Sequence, residues 1–94
     1  APARESSAMI GFPNQMRSFD EDAGTIRFSG YDGVMEVRFV LEAPALEQIA
    51  GIDRTPETDY LDAFDRCREK IETAAVRAYK KSRKSLIWLS SADF

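Results

Sequence analysis

The chain contains no histidine and a single cysteine among its 94 residues. Without histidine, the commonest general base and transition-metal ligand is missing, and serine or cysteine nucleophiles lose their usual activator. One cysteine excludes an internal disulfide and fits a reducing compartment, hence a cytoplasmic location. No run approaches the roughly 18 apolar residues of a membrane span. Thirteen basic residues face sixteen acidic ones, for a net charge of −3 and a pI near 4.9. That balance disfavours a general nucleic-acid binder and peripheral attachment to anionic lipid. There is no glycine-rich phosphate loop and no Gly-x-Ser-x-Gly context, so the composition points away from an enzyme. The reading therefore assigns no cofactor and no catalytic or metal-binding residue.

What is present suits a soluble globular domain, with 44% hydrophobic and 31% charged residues. Residues 1–8 are small and polar and read as a loose arm rather than a secretory signal. Residues 9–94 read as one domain. Met9–Phe12 is a short strand candidate stopped by Pro13-Asn14. Asp20–Gly24 is a turn cluster, and Thr25–Ser29 alternates apolar and polar residues as a half-buried strand does. Gly30-Tyr31-Asp32-Gly33 reads as a hairpin connection. Val34–Leu41 follows, with Met35, Val37, Phe39 and Leu41 on a dry face and Glu36 and Arg38 on a wet one. Pro44 opens a short helix that Gly51 stops.

From Thr55-Pro56-Glu57-Thr58 onward the pattern predicts one continuous amphipathic helix to about Ser82. Tyr60, Phe64, Cys67, Ile71, Ala74 and Ala78 step by four and three, and Leu61, Ala75 and Tyr79 widen the stripe. Residues 57–72 hold six acids and three bases, and residues 73–84 hold five bases and no acid. That gradient complements the helix dipole. Leu86–Leu89 forms a last strand, apolar on both faces. The expected fold is α+β, in two layers: an antiparallel meander sheet, ordered strand-strand-strand-helix-helix-strand, packed on one long helix. Ile26, Phe28, Val37, Phe39, Phe64, Ile71 and Trp88 are its expected core.

Several groups invite a chemical reading. Cys67 lies on the apolar stripe, where a packing role outweighs a nucleophilic one. Asp59, Asp62 and Asp65, or Asp20, Glu21 and Asp22, could attract a hard cation, but neither set has the spacing of a calcium loop; solvated charge explains them. Five cations within eight residues, Arg77, Lys80, Lys81, Arg83 and Lys84, could contact an anion, nucleic acid or acidic protein partner. Charge complementarity at a helix C-terminus explains them as well. Tyr31 and Asp32 between two glycines, and Trp88, are candidates for recognition or an interface.

Phe12-Pro13-Asn14, Ile26–Gly33 and Glu36–Phe39, followed by Ala63-Phe64-Asp65, Arg68, Ile71, Ala75, Tyr79 and the closing Asp93-Phe94, resemble a family of small uncharacterised bacterial proteins. The family is catalogued as domain of unknown function 1488. The resemblance implies a small bacterial α+β protein and no particular activity. The apolar Leu86–Leu89 departs from the family's pattern. The functional expectation is a non-catalytic binding or interaction domain, with a protein partner unknown from sequence. The alternative is a nucleic-acid-associated regulator using the basic helix end. A two-fold homodimer is expected, because a helix from Thr58 to Ser82 would be about 37 Å long and the last strand has two apolar faces but one helical layer to cover them; the competing reading is that the N-terminal arm folds over the open face within one chain.

Overall fold

A computed structural model describes residues 10–13, 16–53 and 57–94. The expected N-terminal arm and the Thr55-Pro56 start of the expected long helix lie outside the described residues. Four strands form one sheet in the order β1-β2-β3-β4: β1 is Arg17–Asp20, β2 Thr25–Asp32, β3 Met35–Glu42 and β4 Leu86–Leu89. Helices α1 (Ala43–Ala50), α2 (Glu57–Arg66) and α3 (Arg68–Ser82) lie between β3 and β4 in sequence, and a short 3-10 turn, Ser91–Asp93, follows β4. The three helices cover one face of the sheet, giving the expected α+β fold.

The first three strands pair antiparallel, while β4 pairs parallel to β3. The sheet is therefore mostly antiparallel rather than a pure meander. The three helices carry the chain back to the start of the sheet, as a parallel return requires.

The first strand is Arg17–Asp20, not Met9–Phe12. Met9 lies outside the described residues, and Gly11 makes only an isolated bridge to Tyr31. Phe12 is used for packing, its ring near those of Phe28 and Phe39 at 6.1 and 6.0 Å. Alternation does not reveal β1 because three of its four residues are polar or charged; Phe19 is its one apolar residue and turns inward, stacked on Tyr60 at 4.8 Å. What defines β1 is the turn after it. Asp20 accepts from the Gly24 N–H through its carbonyl and from the Ala23 N–H through its carboxylate, at 2.8 and 3.1 Å.

The β2–β3 connection is tighter than expected. Gly30, Tyr31 and Asp32 belong to β2, and the turn is Gly33-Val34 alone. Gly33 takes φ 66°, as a two-residue hairpin with glycine first demands. Gly30 is needed for space: a Cβ there would lie 2.7 Å from the Phe12 ring and 2.9 Å from the Gly11 carbonyl oxygen. Gly30→Ala is expected to cost about 1–3 kcal/mol through overpacking. Thermal denaturation of that variant checks it.

The long helix is also divided. Cys67 sits between α2 and α3 at φ −102° and ψ 13°, its N–H shared between the carbonyls of Ala63 and Phe64 at 3.0 and 3.2 Å. Periodicity survives this one-residue break, which is why the stripe reads as continuous. The break lets α2 pack on α1 and β1 while α3 packs on β4. Ten and fifteen residues make helices of about 15 and 22 Å. Helix length therefore no longer argues for a dimer. Cys67 is half-buried and packed against the core.

Ile26, Phe28, Val37, Phe39, Phe64 and Ile71 are buried as expected, and Leu41, Leu46 and Leu89 join them. Trp88 does not: it is 58% exposed. In β4 the inward residues are Ile87 and Leu89, so Leu86 and Trp88 point to the other face, which no helix among the described residues covers. Met35, assigned to the dry face, is also exposed because it stands at the hairpin tip.

Across the inner layer, Arg17 of β1 forks onto Asp65 of α2 with two bonds of 2.9 and 2.8 Å, and Arg68 adds a third of 3.1 Å. The Arg17 hydrogen bond, assisted by Arg68, holds the Asp65 carboxyl below its usual pKa. A depressed carboxylate stabilises the fold above its unfolded pKa, about 3.9, and that contribution is lost as pH falls through the folded value. Asp65→Asn should therefore flatten the acid limb of the stability profile below about pH 4. At neutral pH the exposed pair limits the loss to about 1 kcal/mol. Urea melts of both proteins from acid to neutral pH check this; a parallel pair of profiles would contradict it.

Candidate interaction surface

Register fixes what the uncovered face of the sheet displays. One cross-strand row is Ser18, Arg27, Val40 and Trp88, and the next is Ser29, Arg38 and Leu86. Tyr31 and Glu36 form a third row nearer the hairpin. Leu86 is 50% and Trp88 58% exposed, while Val40, between Arg27 and Trp88 in the first row, is buried. A groove of about 560 Å³ crosses this face, lined by residues of all four strands. Its charges are of both signs. Arg27 pairs with Asp20 at 3.0 Å, and Arg38 lies 3.9 Å from Glu36. Such exposed pairs add little stability, so they shape the surface more than they hold the fold.

Among the described residues β4 also ends the sheet. Arg38 N–H donates to the Ser85 carbonyl at 2.8 Å. In a parallel ladder this places the backbone groups of Ser85, Ile87 and Leu89 toward β3 and those of Leu86 and Trp88 toward the open edge. The two edges of the sheet differ. β1 carries Arg17 and Asp20, the charged protection typical of an edge. β4 has no charge and no proline.

The other sequence candidates are distributed differently. Arg77, Lys80, Lys81, Arg83 and Lys84 are all exposed around the end of α3. Arg77 donates to the Asp93 carbonyl at 3.2 Å, and Arg83 closes the helix in a left-handed conformation at φ 57°. The Arg83 guanidinium lies 5.8 Å from the Tyr79 ring. That ring is buried, and its hydroxyl donates to Asp32 at 2.6 Å. The carboxylate raises the Tyr79 pKa, since ionisation would set two negative oxygens together. Asp32 is thus an internal acceptor. Tyr31 is half-buried within β2 and exchanges both backbone bonds with Gly11. Tyr31, Asp32 and Trp88 do not form one site. Asp62 pairs with Arg66, Asp65 with Arg17 and Arg68, and Asp20 with Arg27. Among the described residues, no three cysteine, aspartate or glutamate side chains gather as a metal site.

A protein-family model described as "Protein of unknown function (DUF1488)" matches residues 10–89. The chain belongs to the DUF1488 family. A crystal structure of a DUF1488 protein of unknown function from Shewanella loihica PV-4, at 1.60 Å resolution, superposes with a TM-score of 0.76. It shares 20% identity and covers 85% of this chain and 90% of that one, which establishes a common fold. No curated protein matches the chain. In this DUF1488 member no helix among the described residues is long and apolar enough to cross a membrane. A second depression, between α1 and α3, is lined by Gln48, Ile49, Glu69, Lys70, Thr73, Arg77 and Phe94. It mixes charges of both signs and gathers no reactive group.

The open apolar face of β4 was half legible in sequence. Four apolar residues in a row announce a strand with two faces to bury, but which face lies outside depends on the register with β3.

Proposed function

We propose that this DUF1488 protein is a non-catalytic, bacterial, cytoplasmic interaction module that binds protein through the uncovered face and free edge at β4. The observation that carries the reading is the exposure of Trp88 beside Leu86 on a sheet face flanked by Arg27 and Arg38. Tryptophan and arginine are the side chains enriched at binding hot spots, and an apolar centre with a polar rim is the usual anatomy. The absence of histidine and the half-buried place of Cys67 support a role without catalysis. The bacterial source of the related crystal structure and the lone cysteine support the assigned setting.

A photoreactive residue at position 88, introduced in growing cells, should give protease-sensitive adducts that Leu86→Ser suppresses. The same residue at exposed Lys70 should not. Equal yields at both positions, or adducts destroyed by nuclease alone, would overturn the reading. The nucleic-acid alternative rests on the exposed cations Lys80, Lys81, Arg83 and Lys84. Tyr79 lends it no stacking surface, because the ring is buried. A salt-sensitive mobility shift of labelled RNA or DNA, lost on neutralising these lysines, would favour it instead.

A further inference from the structure

The geometry points to a second copy of this chain as an occupant of the β4 edge, the two β4 strands pairing antiparallel about a two-fold axis at Ile87. This rests on the reading of β4 as the contact surface and names its partner.

Leu86 and Trp88 hold the backbone groups that face the open edge, and no other described backbone group bonds to them. A two-fold pairing keeps like faces of both sheets on one side only when directly opposed residue numbers sum to an even value. Two registers meet that condition near the centre of β4. Centring on Trp88 opposes Leu86 to the partner's Ser90, whose N–H is already donated to Asp93 at 2.8 Å. Centring on Ile87 opposes Leu86 to the partner's Trp88, and Trp88 to the partner's Leu86. Each of these two pairs exchanges an N–H and a carbonyl, so all four open-edge donors find acceptors.

The same register places the two exposed apolar side chains against each other on the uncovered face, twice over. It also lays the basic residue Lys84 beside the partner's Ser90, toward the turn that carries the partner's Asp93, so opposite charges meet at both ends of the ladder. β1 cannot do this, because its edge is charged. A two-fold isologous pairing closes, whereas an open hydrophobic edge left alone invites aggregation. The interface is small, so association belongs in the micromolar range typical of weak specific contacts.

Sedimentation equilibrium of the full chain over a dilution series is expected to show a reversible rise from 10.6 kDa to about twice that mass. Trp88→Lys should hold the protein at monomer mass at every concentration, while Trp88→Phe should still associate. Register is read separately. In a Cys67→Ala background, a cysteine replacing Ile87 meets its own copy across the axis at about 4.5 Å between Cα atoms, within disulfide reach. Mild oxidation should couple Ile87→Cys chains, and should leave Leu86→Cys chains uncoupled. A monomer throughout the series, or coupling of Leu86→Cys in place of Ile87→Cys, would overturn the pairing. A monomer that still forms position-88 adducts with another protein overturns the pairing alone. A monomer without adducts overturns the interaction reading as well.

Discussion

Phe39→Ala and Phe64→Ala are each expected to remove about 3–5 kcal/mol of stability. Both rings are fully buried. Phe39 stacks on Phe28 at 5.1 Å, and Phe64 meets the same ring edge-on at 5.1 Å. Phe28 is thus held between a strand residue and a helix residue, and removing either leaves a cavity at the junction of the two layers. Arg68 lies 5.0 Å over Phe64, so the second variant also loses a cation–π contact. A chain of this length is expected to have about 5–14 kcal/mol in total. Urea midpoints should therefore fall by about 2–3 M for an m-value near 1.5 kcal/mol/M. An unshifted midpoint for either variant would contradict the assigned packing of helix on sheet.

Trp88→Ala should behave in the opposite way. In dilute protein its stability in a urea melt should stay within about 0.5–1 kcal/mol of the parent, because most of the indole surface is already in water. Association, in contrast, should weaken by a factor of about 30 or more, the loss expected when a central tryptophan anchor of at least 2 kcal/mol is truncated. The two aromatic variants thus separate the two faces of one sheet: the inner face holds the fold and the outer face makes contacts. Chemical denaturation and sedimentation of the same preparation check both halves. A large loss of stability with unchanged association would mean that Trp88 belongs to the core after all.

The inner face was readable because period-2 alternation in β2 and β3 and the stepping of Tyr60, Phe64 and Ile71 are direct images of burial. The short helix was equally plain, with Pro44 at its start and Gly51 at φ 70° after its end. β1 escaped because its residues are polar and it is fixed by the Asp20–Gly24 turn and by Arg17 reaching across to Asp65. The break at Cys67 escaped because a single residue leaves the apolar stripe in phase. Its cause is tertiary: α2 and α3 follow different neighbours.

The candidate surface was legible as composition and not as position. Leu86–Leu89 signalled two apolar faces, yet the family likeness and the pattern alone could not say that Trp88 would be the residue left outside. That depends on β4 running parallel to β3 with Ile87 opposite Phe39 and Trp88 opposite Val40. Tyr31 and Asp32 looked like one exposed loop because two glycines flank them. In the fold they point to opposite sides of β2, and Asp32 is held by the Tyr79 hydroxyl. The basic run is exposed, but the tyrosine beside it faces the core.

Trp88 is the sole tryptophan of the chain, so its fluorescence reports this one position. The most direct measurement is acrylamide quenching of that emission across a dilution series. Dilute protein is expected to show a water-exposed, readily quenched indole, and concentrated protein a blue-shifted emission with quenching suppressed in step with the doubling of mass. A shielded, blue-shifted Trp88 at every dilution would contradict its place outside the core, and an equally quenched one at every concentration would contradict its place in the interface.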